Sequence, residues 1–241
     1  MANFDDQVMG LTALTISGSS TDPSQAELSQ FLKDGVMDVT TKCIASYPAE
    51  IDLFARRSAT TAANATLNLN GARIISVMRE AGADGDSFTD GNTAWRECRK
   101  IPLSLQSRVT DSDSLYFASK YNPVYTVDEN GGINVFPVPD ADEDGFRVYY
   151  VNNDPVNDSG STLAYNHSTI KYFPADKVYL VPLYASIKSI EAKLSSYTVV
   201  DEDIELVQGL NATLNTLKES YAGSFPAPAQ ARKPRGGGRG G

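Results

Sequence analysis

The sequence predicts an α+β protein in which a helical bundle, formed by an N-terminal helix and a C-terminal helix hairpin, carries an antiparallel β-rich insertion and a flexible C-terminal arm. Three observations carry this. Apolar residues recur at helical spacing near both ends of the chain, over 23–46 and 174–221. Short β-prone runs punctuated by glycine, asparagine and proline fill the middle. Residues 225–241, FPAPAQARKPRGGGRGG, have too little apolar content to build a core. The corresponding parts are an N-terminal extension over 1–22, a bundle over 23–71 and 174–224, a β-rich region over 72–173, and the basic arm over 225–241.

The first element is a helix from about Pro23 to Ser46, with Asp22 as N-cap, Pro23 at the first helical position and Gln25 at the capping-box position. Leu28, Phe31, Leu32, Val36, Val39, Cys43 and Ile44 fall on one stripe, with Lys33, Asp34, Thr40 and Lys42 away from it, and Tyr47-Pro48 ends the run. Gly35 sits inside this helix at a cost of about 1 kcal/mol relative to alanine, and reads equally as a close-packing point or a tolerated weak point. A short helix over Ala49 to Phe54 precedes a loop or edge strand around Thr60 to Asn70. Strands are expected over 73–78, 114–119, 124–127, 133–138 and 146–152, with a turn or short helix around Ala94 to Lys100. Asp128-Glu129-Asn130-Gly131-Gly132 is a hairpin connection, and Pro137 and Pro139 mark a strand end or edge. A helix introduced by Pro174 and Asp176 runs to Tyr197, with Pro182 kinking it or starting a fresh segment. The last helix, about Asp201 to Tyr221, repeats Ile204, Val207, Leu210, Leu214, Leu217 and Tyr221 on one face, carries Asp201, Glu202 and Asp203 at its start, and is closed by Gly223.

Over 241 residues the hydrophobic fraction is 41% and the charged fraction 21%, as in an ordinary globular protein. No apolar run reaches the roughly 18 to 20 residues that span a bilayer, so no membrane is expected as a partner. The N-terminus, MANFDDQVMG, lacks the basic flank and hydrophobic stretch of a secretory signal, which implies folding in a cytoplasm. In that compartment Cys43 and Cys98 are expected as free thiols. The net charge is −9, yet the last ten residues hold four cations and no acid, leaving −13 on the remainder. A body that acidic repels polyanions and argues against a nucleic-acid-binding surface on the folded part.

No catalytic signature is found: Walker, Rossmann, GxSxG and HExxH patterns are missing, and the single histidine, His167, lies in a polar run and reads as a solvated loop residue. No enzyme activity, cofactor or metal site is therefore assigned. Asp140-Ala141-Asp142-Glu143-Asp144-Gly145 matches the first half of a calcium loop, but position twelve is Val151 and the following run is β-prone. It reads as an acidic turn whose carboxylates Asp140, Asp142 and Asp144 are the candidate cation ligands. The partner-binding candidates are in the arm: Phe225, Arg232, Lys233, Arg235 and Arg239. A flexible cationic arm suits an acidic groove on a neighbouring protein better than a nucleic acid, where so few charges give weak, salt-sensitive contact.

The order of pieces resembles a family of tailed-phage virion structural proteins, the head-to-tail connector or neck proteins. The resemblance rests on FDDQVMGLTALTI, SQAELSQFLKDGVMDVTTKCI, ARIISVMRE with RECRKIP, DSLYFASKYNPVYTV with INVFPVP, FPADKVYLVPLYASIKSIEAKL and EDIELVQGLNATLNTLKESY. It implies a non-enzymatic adaptor: a homo-oligomeric ring, commonly of twelve subunits, between the portal protein and a downstream neck or tail protein. Genomic DNA would pass through its channel without sequence-specific binding. The implied location is the neck of the virion, with the host cytoplasm during assembly. The resemblance also implies that the terminal arm clasps the portal or a neighbouring subunit. The sheet region is larger than in mostly helical adaptors, which leaves a tail-terminator, stopper or other accessory virion protein as an alternative. A second class of function, a carbohydrate- or ligand-binding module, would use the tyrosines of the β-rich region, Tyr116, Tyr121, Tyr125, Tyr149 and Tyr150.

Overall fold

The computed structural model describes residues 2–19, 23–61, 67, 69, 71–81, 95–139, 145–200 and 204–225, with 198–200 described for the backbone only. Its elements in chain order are α1 (Phe4–Thr12), α2 (Gln25–Ser46), β1 (Ala55–Arg57), β2 (Ile74–Glu80), β3 (Trp95–Glu97), β4 (Arg99–Lys100), α3 (Gln106–Val109), β5 (Val124–Val127), β6 (Ile133–Phe136), β7 (Phe146–Val151), α4 (Leu180–Val200) and α5 (Ile204–Gly223). Short 3-10 turns cover Pro48–Phe54, Leu103–Leu105 and Ala175–Lys177. The fold is α+β, with a helical unit of Met1–Glu50 and Asp154–Gly241 and a sheet unit of Ile51–Asn153. The two units meet in sequence at 50/51 and 153/154, where the sequence places the boundaries at 71/72 and 173/174. Backbone pairing explains the difference. β1 pairs with β7 and so belongs to the sheet. Residues 154–173 instead serve the helices, because the carbonyls of His167 and Tyr165 accept the N–H groups of Phe4 and Asp5 at 2.8 and 3.0 Å. Those are first-turn donors with no partner inside α1, whose N-cap Asn3 makes no side-chain cap bond.

In the helical unit, α1 is an element the sequence expectation leaves as extension. Phe4, Val8 and Thr12, four residues apart, are buried along the face that packs on α4. Helix α2 begins later than expected. Ser24 caps it, accepting from the Glu27 N–H at 3.3 Å, while Glu27 accepts from the Ser24 N–H at 2.8 Å. The Ser24 bonds pull the Glu27 carboxyl below its ordinary range. The expected cap, Asp22, lies outside the described residues. The α2 stripe is buried at Leu28, Leu32, Val36, Val39, Cys43 and Ile44. Thr40, expected off the stripe, is buried with it, and Phe31 is half-buried.

Pro182 is the third residue of α4, within the first turn, where its missing N–H has no acceptor to leave empty. It therefore starts a fresh segment and does not kink a longer one. Helix α4 packs against α1, α2 and α5, so its residues are buried nearly all round: Leu180, Val181, Ala185, Ser186, Ser189 and Ile190. The two buried serines donate to the carbonyls of Pro182 and Ala185, both at 2.8 Å, which satisfies their hydroxyls inside the bundle. Helix α5 returns alongside α4 and buries Leu210, Leu214, Leu217 and Tyr221, while Ile204 at its start is 69% exposed. Glu191 on α4 accepts from Lys188 at 2.8 Å and from Lys218 of α5 at 2.9 Å, staking the hairpin across its surface. The anticipated acids Asp201, Glu202 and Asp203 lie outside the described residues, and Gly223 is the last helical residue rather than a left-handed cap.

The sheet unit holds a four-stranded antiparallel sheet in the order β1-β7-β2-β3 and a three-stranded sheet in the order β4-β5-β6. The sequence predicts β2, β5, β6 and β7 and the hairpin joining β5 to β6 through Asp128, whose carboxylate accepts from the N–H groups of Asn130 and Gly132. Strand β6 lies at an edge and ends at Phe136, before Pro137. Three expectations are corrected. Residues 95–100 form β3 and β4, not a turn or helix. Strand β4 runs parallel to β5, so the region is not wholly antiparallel; the crossover between them is long enough to permit it. Residues 114–119 form no strand and turn on themselves instead.

Between β3 and β4 the chain passes from one sheet to the other at Cys98, whose N–H donates to Val77 at 2.7 Å. Its side chain joins a core with Val77, Tyr125, Ile133, Val135, Phe146 and Val148. Burial pushes the Cys98 thiol up to about 12 and raises Cys43 as well. A thiol so raised is protonated at neutral pH and a poor nucleophile. At pH 8 the folded protein is expected to leave both thiols unreacted with Ellman's reagent, and to release both on denaturation. Rapid labelling of the folded chain would contradict this.

Candidate interaction site

Among the described residues no group of three or more His, Cys, Asp or Glu is placed to hold a metal ion, and no helix is long and apolar enough to cross a membrane. Asp140, Asp142 and Asp144, and the arm residues Arg232, Lys233, Arg235 and Arg239, lie outside the described residues. His167 is half-buried rather than fully solvated. Its Nδ1 accepts from the Ala164 N–H at 3.1 Å and its carbonyl from Phe4, so the residue organises the loop against α1.

Phe225 is described, and it roots the arm. Tyr221, in the last turn of α5, donates from its hydroxyl to the Asp38 carboxylate of α2 at 2.5 Å. Asp38 also accepts from Lys42 at 2.7 Å. The Lys42 ammonium stands 4.5 Å from the centre of the Tyr221 ring and 5.5 Å from that of Phe225, and the two rings meet edge to face at 5.2 Å. The point where the arm leaves the bundle is thus held by a carboxylate, a cation and two rings. Asp38 and Lys42, four apart, are a visible helix pair in the sequence, but nothing there couples them to Tyr221.

Burial and the bond to Asp38 push the Tyr221 phenol upward. The neutral phenol is therefore favoured in the fold, and its contribution is present below about pH 10 and is lost as pH rises beyond it, where the unfolded tyrosine ionises. Tyr221→Phe is expected to lower stability by about 1.5 kcal/mol at pH 7 and to flatten the loss above pH 10. Urea titrations at pH 7 and 10.5 measure both. Wild-type stability at pH 7, or an unchanged slope, would remove the assigned role of the hydroxyl.

A second surface lies in the sheet unit. After α3 the chain makes a closed loop whose base is the Ala118 N–H to Val109 carbonyl bond at 3.0 Å, with both residues in a small core beside Ile101, Val124 and Phe136. The loop is shaped by the Asp111 and Ser114 side chains, which accept from the N–H groups of Asp113 and Tyr116. From this rigid base it presents Tyr116, Phe117 and a Leu115 that is 103% exposed, with Leu103 and Tyr121 exposed nearby in sequence. Leu115 stands wholly and Tyr116 and Phe117 partly in solvent, an exposed run of large side chains that makes this loop a candidate contact surface. The sequence signal for it is the run of turn formers Asp111, Ser112, Asp113 and Ser114 immediately before Leu115.

The five tyrosines of the ligand-binding alternative are not gathered on one face: Tyr125 is in the core, Tyr149 and Tyr150 are consecutive on β7, and Tyr116 and Tyr121 lie in the segment before β5. No known family profile matches this chain, and no curated protein matches it.

Proposed function

We propose that the protein is a structural connector of a tailed-phage neck, a non-enzymatic head-to-tail adaptor that forms a homo-oligomeric ring between the portal and the next neck or tail component. The observation that carries the reading is that each compact unit has its own means of contact. The sheet unit presents the apolar loop at Leu115–Phe117, and the helical unit holds the root of a basic arm at Tyr221 and Phe225. A protein that joins two neighbours needs two surfaces, and needs no catalytic centre to do so. Residues 1–50 and 154–225 carry 16 acids against seven Lys and Arg, a charge that discourages adhesion of DNA along that unit. A tail-terminator or stopper would use the same two surfaces and differ in which neighbour each one meets.

The test titrates two variants against the cognate portal ring. Leu115→Asp changes a side chain that packs against nothing, so it leaves the melting temperature unchanged and weakens ring formation or docking by about tenfold or more. A chain ending at Phe225 keeps the fold and weakens portal docking. Wild-type assembly and docking by both variants would contradict the proposal.

A further inference from the structure

A groove of about 390 Å³ opens between α1 and the start of α4, lined by Asp6, Gln7, Gly10, Leu11, Tyr179, Pro182 and Leu183. Its walls are mainly hydrocarbon and aromatic, with Leu11 42% and Tyr179 57% exposed. Gly10 leaves it open, since a Cβ there would meet no atom within 4 Å. Asp6, one helical turn before Gly10, supplies a carboxylate among the lining residues. An aromatic and apolar trough with an acid among its lining residues suits an extended proline-containing peptide followed by cations.

The chain contains such a peptide. After Phe225 it continues PAPAQARKPR, with prolines at 226, 228 and 234 and cations at 232, 233 and 235. Charge favours the pairing, because residues 1–50 and 154–225 have a net charge of −9 and the segment beyond them carries four cations and no acid. Position favours it too. The Tyr221 and Tyr184 rings lie 5.8 Å apart, so α5 ends beside the first turns of α4. Val181 and Tyr184 face α2 at Gly35, whereas Tyr179, Pro182 and Leu183 line the groove on the other side of those turns. The two sides of those turns are separated by the width of one helix, ~10–12 Å across with its side chains. Residues 226–231, extended at ~3.1 Å each, cover ~19 Å and would bring Arg232 and Lys233 to Asp6.

We infer that the α1–α4 groove is the seat of the chain's own C-terminal segment, Pro226–Arg235, docked within the same molecule. The short tether gives that segment a high local concentration at the groove, so modest contacts suffice. This seat belongs to the free subunit and does not depend on the connector reading.

The test uses the full-length chain with a benzophenone amino acid in place of Ala229, irradiated as an equal mixture of isotopically heavy and light copies. The expected cross-links join the 229 peptide to α1 or to Tyr179–Leu183, each within one isotopic copy. Gly10→Phe fills the groove from a position that crowds nothing, and is expected to abolish these cross-links with helix content unchanged. Leu11→Glu, at an exposed residue, is expected to reduce them. Cross-links that map elsewhere, join heavy to light copies, fail to form, or persist in Gly10→Phe would each overturn the inference.

Discussion

Gly35→Leu is expected to lower the unfolding free energy by about 3 kcal/mol. In sequence this glycine reads two ways, and the structure decides for close packing. A Cβ placed on it would lie 3.1 Å from the Tyr184 Cδ1, 3.3 Å from the Val181 carbonyl oxygen and 3.4 Å from the Tyr184 Cβ. The α2 backbone therefore rests directly on α4 at this point. A leucine must force the helices apart or displace Tyr184, which in turn lies against Tyr221 at the root of the arm. Gly35→Ala separates this from a simple intolerance of change. Its methyl requires shifts of a few tenths of an ångström, while helix propensity returns about 1 kcal/mol, so its stability stays within about 1 kcal/mol of wild type. Denaturant titration of the pair is the measurement. Equal stabilities for Gly35→Leu and Gly35→Ala would mean that the two helices do not touch there.

Arg79→Met is expected to cost about 3 kcal/mol. Arg79 is 3% exposed and lies on the same face of β2 as the buried Val77. Its Nε donates to the Pro137 carbonyl at 2.9 Å and its Nη1 to the Glu80 carbonyl, so one side chain ties an inner strand of the larger sheet to the chain that leaves β6. Methionine matches the stem and leaves both carbonyls without this donor. Arg79→Lys retains the charge but replaces a planar fork by a single ammonium, so it restores less than half of the loss. Urea midpoints of the three proteins test this, and a methionine variant as stable as the wild type would show that these bonds contribute nothing.

Elements stabilised by their own residues were legible in the sequence, and those stabilised by distant partners were not. The α2 stripe and the β5–β6 hairpin follow from periodicity and turn chemistry, whereas Pro182 reads equally as a kink or a fresh start until its place in the first turn of α4 selects the second. The sequence expectation caps α2 with Asp22 and Gln25; the reciprocal bonds between Ser24 and Glu27, a pair at the same spacing, set the cap two residues later. The spacing of Phe4, Val8 and Thr12 was a signal for α1, but a helix of nine residues is marginal without the α4 face and the two carbonyls that meet its first turn. Strands β3 and β4 are three and two residues long and exist through β2 and β5. Conversely, Tyr116 and Phe117 have high strand propensity, but among the described residues they and Leu115 pair with no strand and are left exposed. Of the candidate contact residues, the arm is legible from composition, with Phe225 its one described member; the Asp38, Lys42 and Tyr221 cluster behind it is set by helix packing, which the sequence does not display.

The connector role is tested most directly by weighing the protein alone and with its cognate portal ring by mass photometry. The expected result is a subunit that is monomeric alone and saturates the portal at one copy per portal chain. A stable small oligomer that ignores the portal would contradict it.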